Sequence, residues 1–233
     1  MNMPEADIWT NTERYLIQQK EMYGNLFYRE RIARDTQASG LDDLATFEKS
    51  FQDCTQCALA SHRSRIVFGH GSPYARLMII GEGPGEDEDK AGLPFVGKAG
   101  QLLDKMLAAI DFTREEVFIA NIVKCRPPGN RNPGAEEIEA CLPYLKKQIE
   151  LIKPRLILSL GRISAQSLLG TDAPLNQLRG RLHSFGESQL LVTYHPAALL
   201  RNPEWKRPAW SDLQMLRKFY DELVGDKPVW KKP

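Results

Sequence analysis

Leu77, Met78, Ile79 and Ile80 form an unbroken apolar run, the pattern of a strand covered on both faces. Further strand patterns lie at Val117 to Val123, Arg155 to Leu160 and Leu190 to Tyr194. Between and after them, apolar residues recur at helical spacing near Gln101 to Ile110, Ala135 to Ile152, Ile163 to Leu169 and Trp205 to Val224. Strand, helix, strand in regular succession predicts an α/β fold, a three-layer α/β/α sandwich around a central four-stranded parallel sheet. The helix at Ala135 has start signals: Asn132 as capping residue, Pro133 in the first turn, and Glu136 and Glu137 near the positive helix end.

Residues 1–50 have a different pattern. Ile8, Trp9, Tyr15, Leu16, Met22, Tyr23, Leu26 and Phe27 fall at loosely helical spacing among charges, and Leu41, Leu44, Phe47 and Phe51 repeat this after Ser39-Gly40. The pattern predicts an N-terminal helical extension over residues 1–50 packing on a main domain at 51–226, with a frayed tail at 227–233.

The first apolar run stops at Gly81-Glu82-Gly83-Pro84-Gly85, where glycines permit sharp bends or close approach to the backbone and Pro84 stiffens the turn. A turn at the carboxyl end of a central parallel strand is where open α/β sheets hold their ligands. The spacing is neither GxGxxG nor GxxxxGK[ST], and Glu86, Asp87, Glu88 and Asp89 beside it would repel a phosphate. The fitting occupant is neutral, flat or cationic.

Composition narrows the class. A chain of 233 residues, 42% hydrophobic and 26% charged, can bury one sizeable core. A formal charge of +1 lacks the strongly basic signature of a general nucleic-acid binder, so any phosphate-facing surface must be local. The sequence contains no run of membrane-spanning length and no secretory pattern at Met1 to Lys20, which predicts a cytoplasmic location.

The cysteines are Cys54-x-x-Cys57, Cys125 after the second strand and Cys141 on the following helix. In a cytosolic chain this set suits a metal better than disulfides. Zinc usually shows two close pairs, whereas thiolates from distant segments also suit a [4Fe-4S] cluster; spacing leaves both open. Asn121, the glycine turn and His195 then fall at one edge of the parallel sheet, at the ends of their strands. Beside that mouth the sequence places Lys98, Lys124, Arg126, Arg131, Arg179, Arg181, Arg201, Lys206 and Arg207, a candidate cationic face for a phosphate backbone.

Taken together, Gly81 to Asp89, Pro94-Phe95-Val96-Gly97, Asn121-Ile122-Val123-Lys124-Cys125-Arg126-Pro127-Pro128, His195-Pro196-Ala197 and the four cysteines closely resemble the family 4 uracil-DNA glycosylases, the iron-sulfur branch of that superfamily. The resemblance spans about Cys54 to Leu223 and leaves residues 1–50 outside. It implies hydrolysis of the N-glycosidic bond of a flipped-out deoxyuridine, in double- or single-stranded DNA, initiating base excision repair. The expected enzyme is monomeric and nucleoid-associated in the cytoplasm, and the N-terminal helices, outside the resemblance, are the candidate site for a protein partner.

Carried residue by residue, the resemblance makes Asn121 the uracil reader, Phe95 the ring that stacks on the base and His195 the donor to uracil O2. Glu82, Gly83 and Pro84 lie along the base edge, with Glu82 assisting the sugar cation or water, and Glu88 closes the pocket against a 5-methyl group. Arg126, Arg131 and Arg201 face DNA, and Leu199 and Leu200 supply the wedge that fills the vacated stack. Cys54, Cys57, Cys125 and Cys141 hold the [4Fe-4S] cluster, zinc being the alternative. Gly83 stands where several other branches place an aspartate or asparagine, so the resemblance supplies no general base. Rival readings are a shifted base preference, for hypoxanthine or mismatched thymine, and a non-enzymatic iron-sulfur DNA-binding module.

Overall fold

The computed structural model describes residues 43–228 and 230. The chain divides into two compact units, Met1–Asp42 and Asp43–Pro233. Most of the predicted N-terminal extension therefore lies outside the described residues. Residues 43–51 are helical (α1), and Leu44 and Phe51 are buried with Phe68 in the core of the second unit.

The sheet consists of β1 (His70–Gly71), β2 (Leu77–Gly81), β3 (Phe118–Asn121), β4 (Leu156–Leu160), β5 (Leu182–Phe185) and β6 (Ser188–Thr193). Their order is β1-β3-β2-β4-β6-β5. The four inner strands are parallel, and β1 and β5 pair antiparallel at the edges. The expected parallel centre is present. The edge strands were not foreseen because one has two residues and the other is partly exposed throughout. Every residue of β2 is buried, as its unbroken apolar run requires.

Helices α2 (Glu86–Ala91), α3 (Lys98–Ala108), α4 (Ala135–Ile152), α5 (Arg162–Leu169), α6 (Leu175–Leu178), α7 (Pro196–Arg201) and α8 (Lys206–Leu223) complete the unit. Two buried clusters flank the sheet, one including Ile80, Ile122, Leu145 and Leu190, the other Ile79, Leu103, Leu158 and Leu213. This is the alternation of β-strand faces expressed in packing. None of the described helices is long and apolar enough to cross a membrane.

Local chemistry shifts several predicted boundaries. Helix α4 is capped at Gly134 rather than Asn132, because the Glu137 carboxylate accepts from the Gly134 N–H at 2.7 Å. Strand β3 ends at Asn121, yet the Ile122 and Val123 N–H groups still donate to Gly81 O and Glu82 O, at 3.0 and 3.1 Å. The beginning of the tail expected to fray is anchored: Lys227 Nζ donates to Asp111 O and Glu116 Oε1, and Pro228 O accepts from Arg217.

Candidate active site

The carboxyl ends of β2, β3 and β6 open into a cavity of about 360 Å³. Its walls include Glu82, Gly83, Pro84, Glu88, Phe95, Asn121, His195 and Arg201, so the sheet edge gathers the residues singled out from the sequence. Asn121 is 1% exposed, and its Oδ1 has no hydrogen-bond partner among the described residues. An unpaired buried carbonyl costs about 1–3 kcal/mol, which makes this atom an acceptor waiting for a donor in the cavity.

Phe95 is buried and lies 5.4 Å from the His195 ring, tilted by 31°. Its backbone is left-handed at φ 53°, an unfavourable state for an aromatic residue unless the surroundings impose it. They do so from two sides. Both terminal nitrogens of Arg114 donate to Phe95 O at 2.9 Å, and one also donates to Pro94 O at 2.6 Å. Gly100 offers no side chain where a Cβ would run into the Phe95 carbonyl.

Glu88 holds the adjoining wall. Its Oε1 accepts from Val96 N–H at 2.9 Å and Gly97 N–H at 3.0 Å, while Oε2 accepts from Gly85 N–H at 3.0 Å. Asp89, 3% exposed, accepts from the Ser64 and Arg65 N–H groups and fixes the loop after Cys57 to α2. Of the four acids after the glycine turn, Glu86 and Asp87 are exposed, Glu86 pairing with Lys90 and Arg126, while Glu88 and Asp89 turn inward.

His195 caps α7, its Nδ1 accepting from Ala197 N–H at 3.2 Å. A neutral ring in this contact carries its proton on Nε2 and can donate there. Burial, aided by the Arg201 charge, pushes the imidazole down to about 4, so the neutral form prevails near pH 7. Desolvation raises the Glu82 carboxyl, against the opposing pull of Arg162, a residue the sequence reading did not single out.

The cationic face is smaller than its sequence suggested. Lys124 is fully buried, and Arg179 is locked onto Asp212 at 2.8 Å and Pro208 O at 2.6 Å. Arg131 pairs with Glu137 through two contacts, at 2.6 and 2.8 Å, and Arg126 reaches Glu86 at 3.3 Å. Among the described residues Lys98, Arg181, Arg201, Lys206 and Arg207 are exposed and make no ion pair, and Arg201 lines the cavity. Leu199 is 2% exposed and packs with Leu213 and Leu103 in the core, so of the two residues assigned to the wedge only Leu200, at 47%, is on the surface.

The cysteines belong to or border one core cluster. All four are free thiols, Cys125 and Cys141 buried and Cys54 and Cys57 packed against the same cluster. Burial pushes Cys125 up to about 11, opposed by Arg63, with Cys141 and Cys57 adding to the rise. Cys141 is also raised by burial, with Cys57 and Cys54 adding and Lys124 opposing. Each buried thiol thus feels the other sulfurs. Arg63 Nη1 donates to Cys54 O at 2.7 Å and approaches Cys125 Sγ at 3.6 Å, and Lys124 N–H donates to Cys141 Sγ at 3.3 Å. Donors aimed at sulfur suit thiolates, the form that binds metal. Among the described residues, no group of three or more His, Cys, Asp or Glu side chains is arranged as a metal site.

The arrangement can clamp a flat heterocycle between a fixed aromatic ring and a directional amide, with an uncharged imidazole donor at its edge. Comparison with known proteins gives the family. The family model described as the uracil DNA glycosylase superfamily matches residues 68–214. A type-4 uracil-DNA glycosylase of Pyrobaculum aerophilum is 45% identical over 181 residues, covering 74% of this chain and 92% of that one. Those of Sulfurisphaera tokodaii and Saccharolobus solfataricus are 42% and 40% identical, over 76% and 81% of this chain and 85% and 90% of theirs. The chain belongs to the uracil DNA glycosylase superfamily and, within it, to the type-4 uracil-DNA glycosylases.

Proposed function

We infer that this chain removes uracil from DNA by hydrolysing the N-glycosidic bond, the opening step of base excision repair. The observation that carries the assignment to the cavity is the buried, unpartnered Asn121 Oδ1. An extruded uracil offers it the N3–H donor and offers the Asn121 Nδ2 donor its O4 acceptor. Cytosine presents the opposite pattern at both positions.

In the proposed reaction Phe95 stacks on the flipped base and His195 Nε2–H donates to uracil O2. The bond from C1′ to N1 breaks and its electron pair moves onto the ring. The neutral imidazole supplies a hydrogen bond, without a full proton, to the charge that develops. Water adds to C1′, and the proton it loses passes through solvent to the departed uracil anion, leaving an abasic site and free uracil. Glu82 faces the positive sugar or holds that water, in a setting where desolvation strengthens its field. Glu88, which lines the cavity and is fixed by the Gly85, Val96 and Gly97 N–H groups, contributes to excluding a 5-methyl group. Leu200 fills the vacated stack, and Arg201, with the remaining exposed cations, meets the phosphates.

Cys54, Cys57, Cys125 and Cys141 would hold a [4Fe-4S] cluster, whose role is to staple the loop after Asp53 to the end of β3 and to α4. Four irons, each taking one thiolate, spread their ligands more widely than one tetrahedral zinc, which needs every sulfur at about 2.3 Å. Four free cysteines from separate segments, two in one core cluster and two packed against it, support a shared group at this place.

The deciding experiment compares release of free base from U·G, U·A, single-stranded U, T·G and I·T substrates by the native chain, Asn121→Ala and His195→Ala. Uracil release from the native chain that both variants lose supports the reading. Unchanged activity in both variants overturns it.

A further inference from the structure

We propose that Lys124 is a positioning residue for the base-reading carboxamide, tying the Asn121 main chain to the packed segments that also carry the cysteines. The proposal rests on Asn121 reading the base. Lys124 is 0% exposed, a rare place for an ammonium, and the catalytic scheme above gives it no task.

Its contacts define one. Lys124 Nζ donates to Asn121 O at 3.0 Å and to Gln148 Oε1 at 2.6 Å. Gln148, itself 0% exposed, donates through Nε2 to Phe68 O at 2.9 Å. The Lys124 main chain is held as well: its N–H donates to Cys141 Sγ, and its carbonyl accepts from Val67 N–H at 2.8 Å. One side chain thus loops back three residues to the carbonyl of the residue whose amide faces the cavity.

Asn121 ends its strand, so beyond it no ladder of strand pairing fixes the next peptide except the Ile122 and Val123 bonds to the β2 side. The Asn121 carbonyl shares its peptide with the Ile122 N–H that donates to Gly81 O, so Lys124 holds the other side of the peptide next to the base reader. Orientation is what base reading needs, since a carboxamide misplaced by about 1 Å loses much of its discrimination. A buried ammonium anchored on Gln148 holds that carbonyl more firmly than a neutral donor would. Asn121 Oδ1 can then stay unpaired until the base arrives.

The test uses the full-length protein as purified. Lys124→Met keeps the length of the side chain and removes both bonds, and Gln148→Leu removes only the anchor. The readouts are the inhibition constant of free uracil, kcat and KM on U-containing DNA, and each variant repeated in an Asn121→Ala background. The expected result is a weakening of free uracil by about tenfold or more for Lys124→Met, a smaller weakening for Gln148→Leu, and no further loss once Asn121 is alanine. Unchanged uracil affinity in both variants, or an equal loss with Asn121 absent, overturns the proposal. If Lys124→Met does not fold, Gln148→Leu decides by the same criteria. Should Asn121→Ala alone leave uracil affinity intact, the failure belongs to the base-reading assignment.

Discussion

Gly81 and Asn121 are register partners on adjacent parallel strands, and a Cβ on Gly81 would come within 2.5 Å of Asn121 Oδ1 and 2.6 Å of the Phe95 ring. The missing side chain makes room for both groups that would grip the base. Gly81→Ala should therefore lower uracil release by at least about a hundredfold, because reader and stacking ring are displaced together. Gly170→Ala is the control. It strains a left-handed residue with open space around it, and should cost about 1 kcal/mol of stability while kcat/KM stays unchanged. Steady-state kinetics beside thermal melts separate the two.

Asn121→Asp converts an amide that both donates and accepts into a carboxylate that only accepts. At neutral pH uracil release should fall by about a hundredfold or more, since uracil O4 then faces a buried charge. As pH is lowered and the carboxyl takes a proton, its donor and acceptor can match cytosine, and cytosine release should become measurable. Base release from C- and U-containing strands between pH 5 and 8 checks both outcomes.

The parallel centre of the sheet was readable because β2 and β4 are buried along their whole length, and burial of both faces is written as continuous apolar sequence. Asn121 and His195 were readable as partners because strand ends in such sheets share an edge. The braces were not. Arg114 lies 19 residues from Phe95, and an arginine that clamps a carbonyl has the same sequence appearance as one in solvent. Lys124 was misjudged for a related reason: adjacency to Cys125 and Arg126 made it look like part of a basic loop, while its burial depends on Gln148, 24 residues away. Leu199 and Leu200 are equivalent in composition, and only the face that α7 turns to α8 separates core from surface.

His195 titrates well below an ordinary imidazole, at about 4. The unfolded chain binds that proton near 6.5, so between about 6.5 and 4 the unfolded state holds more protons than the folded one. Stability should fall as pH drops through that window, and this contribution should vanish above it. Uracil release should show no acid limb centred near 6.5. NMR titration of the His195 ring with urea midpoints from pH 4 to 8 tests both, and a ring midpoint near 6.5 would falsify the neutral donor.

Arg114→Met leaves the Pro94 and Phe95 carbonyls without their clamp and removes the 3.1 Å pairing with Asp104. The left-handed Phe95 backbone should then relax, since only imposed contacts hold it there. The expected effect is a loss of about 1–3 kcal/mol in stability and about a tenfold weakening of free uracil. Arg114→Lys should recover little of either, because an ammonium cannot reproduce the planar fork that spans two carbonyls.

None of the cysteine side chains lines the cavity, so loss of the proposed cluster should reach the pocket only through the scaffold. Freshly purified protein should be brown and carry about four irons and four sulfides per chain, and Cys141→Ser should lose that colour. Cys125 and Cys141 sit in the core cluster with Leu145 and Ile122, so losing the staple should loosen α4 against the end of β3 and lower the melting temperature. Activity should fall with the unfolded fraction, and folded molecules should lose free-uracil affinity only as far as a looser α4 weakens the Gln148 anchor of Lys124. A colourless native protein with one zinc per chain would replace the cluster by a single ion. A Cys141→Ser protein that stays folded yet loses more uracil affinity than Gln148→Leu would show that the sulfurs act on the pocket as well as on the scaffold.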